Sequence, residues 1–244
     1  MIPKILHQTA KTAQIPERWR TYQQRLRELH PGWEYRLWTD EDNLHLVSSR
    51  MPQLLDAYKS APLNIMRADL ARYAIMDSVG GLYLDFDYEF LKPFDFGQYS
   101  LVLPRESDDD REVFVGNAVI ASEPGHPFWK AVLEEYVAMH KSQPKDPEEE
   151  DIISLTGPGL LTRVYLRDFT NDESIYVPSR MAFNPPIPRS EYEYEVLVHG
   201  GVSYGIHHCD GTWRALTYPQ KIVKRLRRLW RRVARKLRGD KATL

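Results

Sequence analysis

The stretch Arg67–Asp87, RADLARYAIMDSVGGLYLDFD, decides the fold. Its first half belongs to an apolar face that recurs at helical spacing, which predicts a helix over Asn64–Ser78. Gly80-Gly81 ends that helix. The apolar run that follows predicts a buried strand, Gly81–Tyr88, which ends in acidic residues. A helix that leads through glycines into a buried strand is typical of α/β proteins.

Predicted strands and helices alternate along much of the chain on both sides of this stretch. The strands are predicted at Ile2–His7, Glu34–Trp38, Leu101–Pro104, Val113–Ala121, Ile175–Val177 and Val202–His207. The helices are predicted at Pro16–His30, Met51–Tyr58, His126–His140 and Gly157–Phe169, with a short helix capped by Thr39 or Asp40. Lys141–Asp151 is polar and acidic, and it is predicted to be a surface loop. The alternation indicates an α/β sheet.

The composition excludes a disordered chain and a membrane-spanning one. The 244 residues are 42% hydrophobic and 27% charged, as in globular proteins. No apolar stretch approaches the ~20 residues that a spanning helix needs, and the first ten residues lack the apolar core of a signal peptide. The single cysteine, Cys209, allows no intrachain disulfide and fits a reducing compartment. We therefore expect a cytoplasmic protein, free or at the inner face of a membrane.

Residues 219–241 differ in charge from the rest of the chain. They hold 11 of the 33 basic residues and one of the 34 acidic residues, so the remainder is strongly acidic. Apolar residues recur among the basic ones at helical spacing, which predicts a basic amphipathic helix over residues 219–244. Such a helix can bind an anionic membrane surface. A helix packed on the acidic body or a dimer contact would fit as well, whereas no nucleic-acid motif accompanies the charge.

Asp85-Phe86-Asp87 carries the clearest chemical signal. Strand alternation predicts that both aspartates lie on one face and that Phe86 lies on the other. Two neighbouring carboxylates repel each other unless a cation or a proton lies between them, and Mn²⁺ or Mg²⁺ prefers oxygen ligands. The simpler alternative is a strand that ends at the solvent, since many unrelated proteins contain two aspartates so spaced. Acids at the carboxyl edge of a sheet, however, lie where ligands bind.

The same stretch resembles the DXD-motif glycosyltransferases of family 32, which include fungal Golgi mannosyltransferases and bacterial capsule or glycolipid transferases. Five further segments match in order: IPKILHQT from residue 2, PGWEYRLWTD from 31, NAVIASEPGHPFW from 117, TGPG from 156 and IHHCDGTW from 206. The resemblance spans roughly residues 2–214. It implies a GT-A fold with a mixed, mainly parallel central sheet flanked by helices. It also implies a catalytic domain over residues 1–218, a nucleotide-sugar donor, Mn²⁺ or Mg²⁺, and retention of the anomeric configuration.

The resemblance assigns roles to the acids and to the helix before them. Asp87 would ligate the metal directly, and Asp85 would contact the donor ribose or sugar and reach the metal through water. Asp69 and Arg72 match positions that contact the donor sugar and diphosphate. Because they are one helical turn apart they can pair, and the alternative is an ordinary surface salt bridge. Arg67 lies on a different face of the helix.

Two other segments match donor-binding positions. His7, Gln8 and Thr9 would hold the nucleoside base. The family often has a tryptophan after this segment, where this chain has Ala10, so the base remains open. Asn117 and the turn Thr156–Gly159 would line the sugar pocket, or they are plain turn residues.

The closing motif IHHCDGTW supplies the remaining candidates. His207 or His208 would be a third metal ligand. Adjacent strand residues point in opposite directions, so only one of them can face the site, and the motif favours His207. Thr212 and Trp213 would close over the diphosphate, although Trp213 could equally belong to the core.

The sequence thus favours a retaining hexosyltransferase that uses a UDP-sugar or, as second choice, GDP-mannose, with a glycan or lipid-linked acceptor. An inactive carbohydrate- or membrane-binding protein is the main alternative, because Ala10 replaces the expected tryptophan. A two-metal phosphohydrolase is the other, and few further acids surround Asp85 to support it.

Overall fold

A central six-stranded sheet organises the chain, which we describe over residues 1–107 and 113–211 of a computed structural model. Its strands, in chain order, are β1 Ile5–Thr9, β2 Glu34–Trp38, β3 Gly81–Leu84, β5 Leu101–Val102, β6 Val119–Ser122 and β7 Ile175–Tyr176. Their spatial order is β2-β1-β3-β6-β5-β7. A second sheet of two strands pairs β4 Tyr88–Phe90 with β8 Gly205–His207.

The central sheet is mixed and mainly parallel. β1 runs parallel to β2 and to β3, and β5 runs parallel to β7. β6 is antiparallel to both of its neighbours, β3 and β5. The predicted α/β class, with a mixed, mainly parallel central sheet flanked by helices, is therefore confirmed.

Helices flank this sheet. They are α1 Glu17–Leu29, α2 Asp40–Arg50, α3 Leu55–Ser60, α4 Asn64–Ser78, α5 Pro127–Met139, α6 Glu149–Leu155, α7 Pro158–Val164, α8 Arg180–Phe183 and α9 Glu191–His199. Short 3-10 turns at Pro52–Leu54 and His140–Ser142 and a π-helix at Tyr165–Phe169 extend α3, α5 and α7. Thr39 caps α2 through a capping box with Asp42, which satisfies backbone N–H groups that a helix start leaves open.

Apolar clusters cover both faces of the sheet. Successive residues of β3 point to opposite faces, so Tyr83 packs into one cluster and its neighbours Leu82 and Leu84 into the other. Helices α2 to α7 contribute to the first cluster, and α1 and α8 to the second. The sheet is thus buried between two layers, as expected for strands that read as continuous apolar runs.

The chain turns sharply between α4 and β3, at a pair of glycines. Gly80 and Gly81 have φ angles of 66° and 102°, in the region that favours glycine. A Cβ atom on Gly81 would lie 2.6 Å from the carbonyl oxygen of Ile5, and one on Gly80 would lie 2.6 Å from that of Ser122. The corner therefore brings β3 into the sheet between β1 and β6.

The predicted strand Gly81–Tyr88 is two separate strands. β3 ends at Leu84, and Asp85–Asp87 form a turn closed by a 3.1 Å hydrogen bond from the Tyr88 amide to the Asp85 carbonyl. The chain then starts β4, which pairs with β8 instead of continuing in the central sheet. The prediction that Asp85 and Asp87 share a strand face was therefore wrong.

Other differences concern boundaries and short elements. The first strand begins at Ile5, and the predicted strand Val113–Ala121 is ordered as a strand only over Val119–Ser122. Helices α8 and α9 were not predicted, and α6 begins inside the predicted loop Lys141–Asp151. The predictions for Thr212, Trp213 and the basic segment 219–241 lie outside the described residues. Among the described helices, none combines the length and apolarity needed to span a bilayer.

Candidate active site

Asp85, Asp87 and His207 form a cluster of potential metal ligands. Each offers one ligand atom, and these atoms lie within 4.8 Å of one another. The side chains are partly accessible: 26% of Asp85, 15% of Asp87 and 20% of His207 is exposed. His207 Nε2 lies 3.5 Å from Asp87 Oδ1. Two carboxylates and an imidazole are a donor set that suits Mn²⁺, and Mg²⁺ through the oxygens.

The pairing of β4 with β8 assembles this cluster. Tyr88 lies opposite His207, and the His208 amide donates a 2.9 Å hydrogen bond to the Asp87 carbonyl. Because neighbouring strand residues alternate, His208 points the other way, and its Nε2 lies 3.0 Å from Glu89 Oε2. His207 is therefore the histidine that lies with the two aspartates.

The protonation of His207 reflects its two acidic neighbours. Burial lowers the pKa of His207, but the contacts with Asp87 and Cys209 and the charge of Asp85 raise it to about 11. The imidazolium thus offsets part of the negative charge of the aspartates. A divalent cation would compete with the proton for the same ring nitrogen.

Asp85 is held by donors on both of its oxygens. The Tyr83 hydroxyl donates a 2.9 Å hydrogen bond to Oδ1, and Arg72 Nη1 lies 3.3 Å from Oδ2. Burial raises the pKa of Asp85, and the Arg72 charge acts in the opposite direction. The carboxylate of Asp85 is thus oriented by the protein before any ligand arrives.

A buried network lies behind Asp85. Arg72 Nη2 lies 3.2 Å from Asp69 Oδ1, and each of these two residues is 3% exposed. Asp69 also accepts hydrogen bonds from Asn117 Nδ2 at 3.0 Å and Thr156 Oγ1 at 2.9 Å. Burial raises the pKa of Asp69 to about 7 against the opposing effect of Arg72. The pair is therefore not a surface salt bridge, and it joins Asn117 and Thr156 to the site.

The three residues at the end of β1 have different surroundings. Thr9 Oγ1 lies 2.9 Å from the Tyr83 hydroxyl, which connects it to Asp85. Gln8 is buried, and its side-chain oxygen accepts a 2.9 Å hydrogen bond from Tyr35. His7 is also buried, with Nδ1 2.9 Å from the Trp38 indole nitrogen and Nε2 2.7 Å from the Gly80 carbonyl. The structure brings Thr9, but not the polar groups of Gln8 and His7, into the network around Asp85.

His7 makes stability depend on pH. The indole N–H can only donate and the Gly80 carbonyl can only accept, so both bonds require a neutral ring protonated at Nε2. Burial lowers the pKa of His7 from 6.5 to about 4. Between these values the unfolded chain binds the proton and the native one does not, so stability falls as the pH decreases.

We expect this residue to cost the native state about 2 kcal/mol between pH 7 and pH 5, since one pKa unit is worth about 1.4 kcal/mol. Guanidinium unfolding of the wild type and of His7→Gln at both pH values measures it. The variant should show the smaller loss on acidification. Equal losses in the two proteins would contradict the assignment of a neutral, buried His7.

Sequence reasoning missed Tyr83 as a site residue. It was interpreted as part of a buried strand, yet its hydroxyl contacts Asp85, and its ring lies 4.8 Å from the Arg72 guanidinium carbon. The position two residues before Asp85 was the available signal. Glu89 and Tyr73 were also missed. Tyr73 accepts a 3.1 Å hydrogen bond from Asn117 and donates a 2.6 Å one to the Thr156 carbonyl, which ties the turn at residues 156–159 to α4.

Parts of this chain are similar in sequence to known proteins, and its fold is similar to that of a solved structure. Residues 16–106, which include Asp69, Arg72, Asp85 and Asp87, match the family described as the glycosyltransferase sugar-binding region containing the DXD motif. Inositol phosphoceramide mannosyltransferase 2 of Schizosaccharomyces pombe is 38% identical over 134 residues, which cover 55% of this chain and 38% of that protein. The initiation-specific alpha-1,6-mannosyltransferase of the same organism is 29% identical over 196 residues, 70% of this chain and 49% of that one.

The chain spans less than half the length of these two relatives. Among solved structures, the PaToxG glycosyltransferase superposes with a TM-score of 0.56 and covers 69% of this chain and 70% of its own. At 16% sequence identity, that likeness concerns the fold alone.

Proposed function

This chain is related to the DXD-motif glycosyltransferases and has their GT-A fold, and from that premise we propose that it transfers a hexose from a nucleotide diphosphate sugar to a glycolipid or glycan acceptor. One observation carries the proposal. Asp85 and Asp87 of the matched region meet His207, which lies 120 residues further along the chain, in a partly accessible cluster with metal-ligand spacing.

The residues of the cluster fit a divalent cation, and we assign their roles from the surroundings of each. Asp87 and His207 would hold the cation directly. Asp85, which Tyr83 and Arg72 hold in place, would contact the donor ribose or sugar and reach the cation through water. When bound, Mn²⁺ or Mg²⁺ would supply positive charge that stabilises the leaving nucleoside diphosphate.

Arg72 and Asp69 stabilise the position of Asp85 in the proposed donor site. Arg72 holds Asp85 and places a positive charge beside the position proposed for the diphosphate, while Asp69 holds Arg72. The other bonds of Asp69 fix this pair to Asn117, just before β6, and to Thr156, between α6 and α7. Because Arg72 is buried, water screens the charge of its guanidinium less than it would screen that of a surface arginine.

We propose retention of the anomeric configuration without a nucleophilic side chain. The residues described above orient the donor and neutralise its charge. The acceptor would attack from the face that the diphosphate leaves, and the diphosphate would accept its proton. Catalysis then depends on positioning and electrostatics.

The names of the relatives favour particular classes of donor and acceptor. Two of them are named as mannosyltransferases, and one of these names contains inositol phosphoceramide, a glycolipid precursor. These names favour a mannose donor, and so GDP-mannose over the UDP-hexose that the sequence alone placed first. They also favour an acceptor with a lipid tail. Binding of residues 219–241 to an anionic membrane, at its cytoplasmic face, would suit such an acceptor and remains a prediction.

A donor screen tests the proposal. GDP-mannose, UDP-glucose and UDP-galactose are each incubated with the protein and with Mn²⁺, Mg²⁺ or EDTA, and release of the nucleoside diphosphate is measured. We expect release from one donor, with Mn²⁺ most effective and EDTA abolishing it. Release that persists in EDTA would contradict the metal-dependent mechanism. Calorimetry that shows binding of a free glycan and none of nucleoside diphosphates with Mn²⁺ would instead favour the carbohydrate-binding alternative.

A further inference from the structure

Two aromatic side chains of α1 stack on residues that directly adjoin the candidate metal ligands. Trp19 stacks on Phe86, with ring centroids 5.5 Å apart and planes inclined by 15°. Tyr22 stacks on His208, with centroids 5.0 Å apart and planes inclined by 2°. Trp19 and Tyr22 are three residues apart, so they project from one side of the helix.

Phe86 and His208, on which these rings stack, are each adjacent in sequence to a candidate metal ligand. Phe86 lies between Asp85 and Asp87, and His208 follows His207. Asp85–Asp87 form a turn, so no strand pairing holds the middle of the motif. β8 ends at His207, so His208 also lies beyond the ladder, with its amide bonded to the Asp87 carbonyl. One helix thus contacts both backbone segments that supply ligands.

Other residues of α1 contact the two-stranded sheet of β4 and β8, or the chain next to it. Arg25 Nη2 donates a 3.4 Å hydrogen bond to the Leu91 carbonyl, and its Nη1 lies 3.9 Å from Glu89 Oε1. Glu89 is 5% exposed and also accepts a 2.6 Å hydrogen bond from Tyr194. Since Glu89 contacts His208 as well, α1, β4 and the end of β8 form one connected unit.

We propose that Trp19 and Tyr22 are positioning residues that set the separation between the two aspartates and His207. The inference rests on the proposed function, since it concerns the same cation site. Trp19 stacks on Phe86, between the two aspartates, and so limits the movement of the turn that carries both carboxylates. Tyr22 stacks on His208 and so limits the movement of the neighbouring His207. Residues behind metal ligands commonly control affinity in this way.

Ordinary packing is the competing explanation, and it predicts a different result. Leu26 is the buried residue of α1, whereas Trp19 and Tyr22 are only half-buried. If the two rings merely cover the core, their removal lowers stability and leaves the affinity for a cation unchanged. If they position the ligands, the affinity falls even where the protein stays folded.

The test measures binding of Mn²⁺ alone to the full chain, from the loss of the free Mn²⁺ signal in electron paramagnetic resonance. We expect Trp19→Leu and Tyr22→Ala each to raise the Mn²⁺ dissociation constant about tenfold, the lower end of the range for such supporting residues. Trp19→Phe and Tyr22→Phe should restore binding because they keep a stacking ring. Gln24→Ala, an exposed position on the same helix, is the matched control.

Each outcome decides between the explanations. Dissociation constants within twofold of the wild type in folded Trp19→Leu and Tyr22→Ala would overturn the inference, as would an equal effect of Gln24→Ala. Failure of the wild type to bind Mn²⁺ would overturn the proposed cation site, and the inference with it. If Tyr22→Ala does not fold, Tyr22→Leu takes its place, and thermal unfolding without metal separates stability from affinity.

Discussion

Replacing Asp87 with alanine is expected to reduce sugar transfer roughly a thousandfold, the loss associated with removing one main group that stabilises the charge of a transition state. Asp87 Oδ1 lies 3.5 Å from His207 Nε2, and Asp87 is the ligand that we assign to direct contact with the cation. Asp85 is held in place by Tyr83 and Arg72, so it cannot move to the position that Asp87 leaves empty.

The fold should survive this substitution. Asp87 lies in a turn, its side chain is partly exposed, and its removal relieves the repulsion from Asp85. Transfer, Mn²⁺ binding and thermal unfolding are measured together, with Asp56→Ala as the control at a side chain that is 88% exposed. Activity within tenfold of the wild type in folded Asp87→Ala would reject the proposed mechanism.

Arg72→Met is expected to have the largest effect on stability, a loss of about 3–5 kcal/mol. The substitution removes the cation that compensates Asp69, which is fully enclosed, and it also removes a partner of Asp85. A buried carboxylate without its partner either stays charged at high cost or takes up a proton. Guanidinium unfolding at pH 7 measures the loss.

A second substitution tests the cause. Asp69→Asn combined with Arg72→Met removes both charges, and we expect the double variant to be more stable than Arg72→Met alone. The exposed pair Glu17–Arg20 has the same spacing on α1, with side chains 84% and 60% exposed. Arg20→Met should therefore change stability by less than about 1 kcal/mol. An Arg72→Met variant as stable as Arg20→Met would contradict the buried network.

The parts of the fold that the sequence predicted well depend on local signals. The bounds of α4 agree with the prediction because the apolar face of this helix, and the glycines after it, are contained within one short stretch. β2 also agrees, since its alternating pattern is local. The capping box at Thr39 is another local signal, carried by residues three positions apart.

The parts that the sequence did not predict depend on contacts between distant residues. In the sequence, Asp85–Asp87 continue the apolar run of β3, so nothing local marks the end of that strand. The chain leaves the central sheet there because Tyr88 pairs with His207, which is distant in sequence. Helix α9, EYEYEVLVH, alternates like a strand, and no residue in it is buried, so no apolar stripe marks it as a helix. Its Ser190 cap was the signal that could have revealed it.

The candidate site itself was partly predictable. The alternation of His207 and His208 follows from strand geometry, and the spacing of Asp69 and Arg72 follows from helix geometry. The burial of that second pair could not be derived in the same way, because it depends on Asn117 and Thr156 from elements that follow later in the chain.

The pairing of β4 with β8 has a consequence for biosynthesis. A ribosome would deliver Asp85 and Asp87 well before His207, which follows Asp87 by 120 residues. A nascent or prematurely terminated chain would therefore contain the aspartate motif but lack its histidine. The complete set of ligands would thus exist only after His207 has been made.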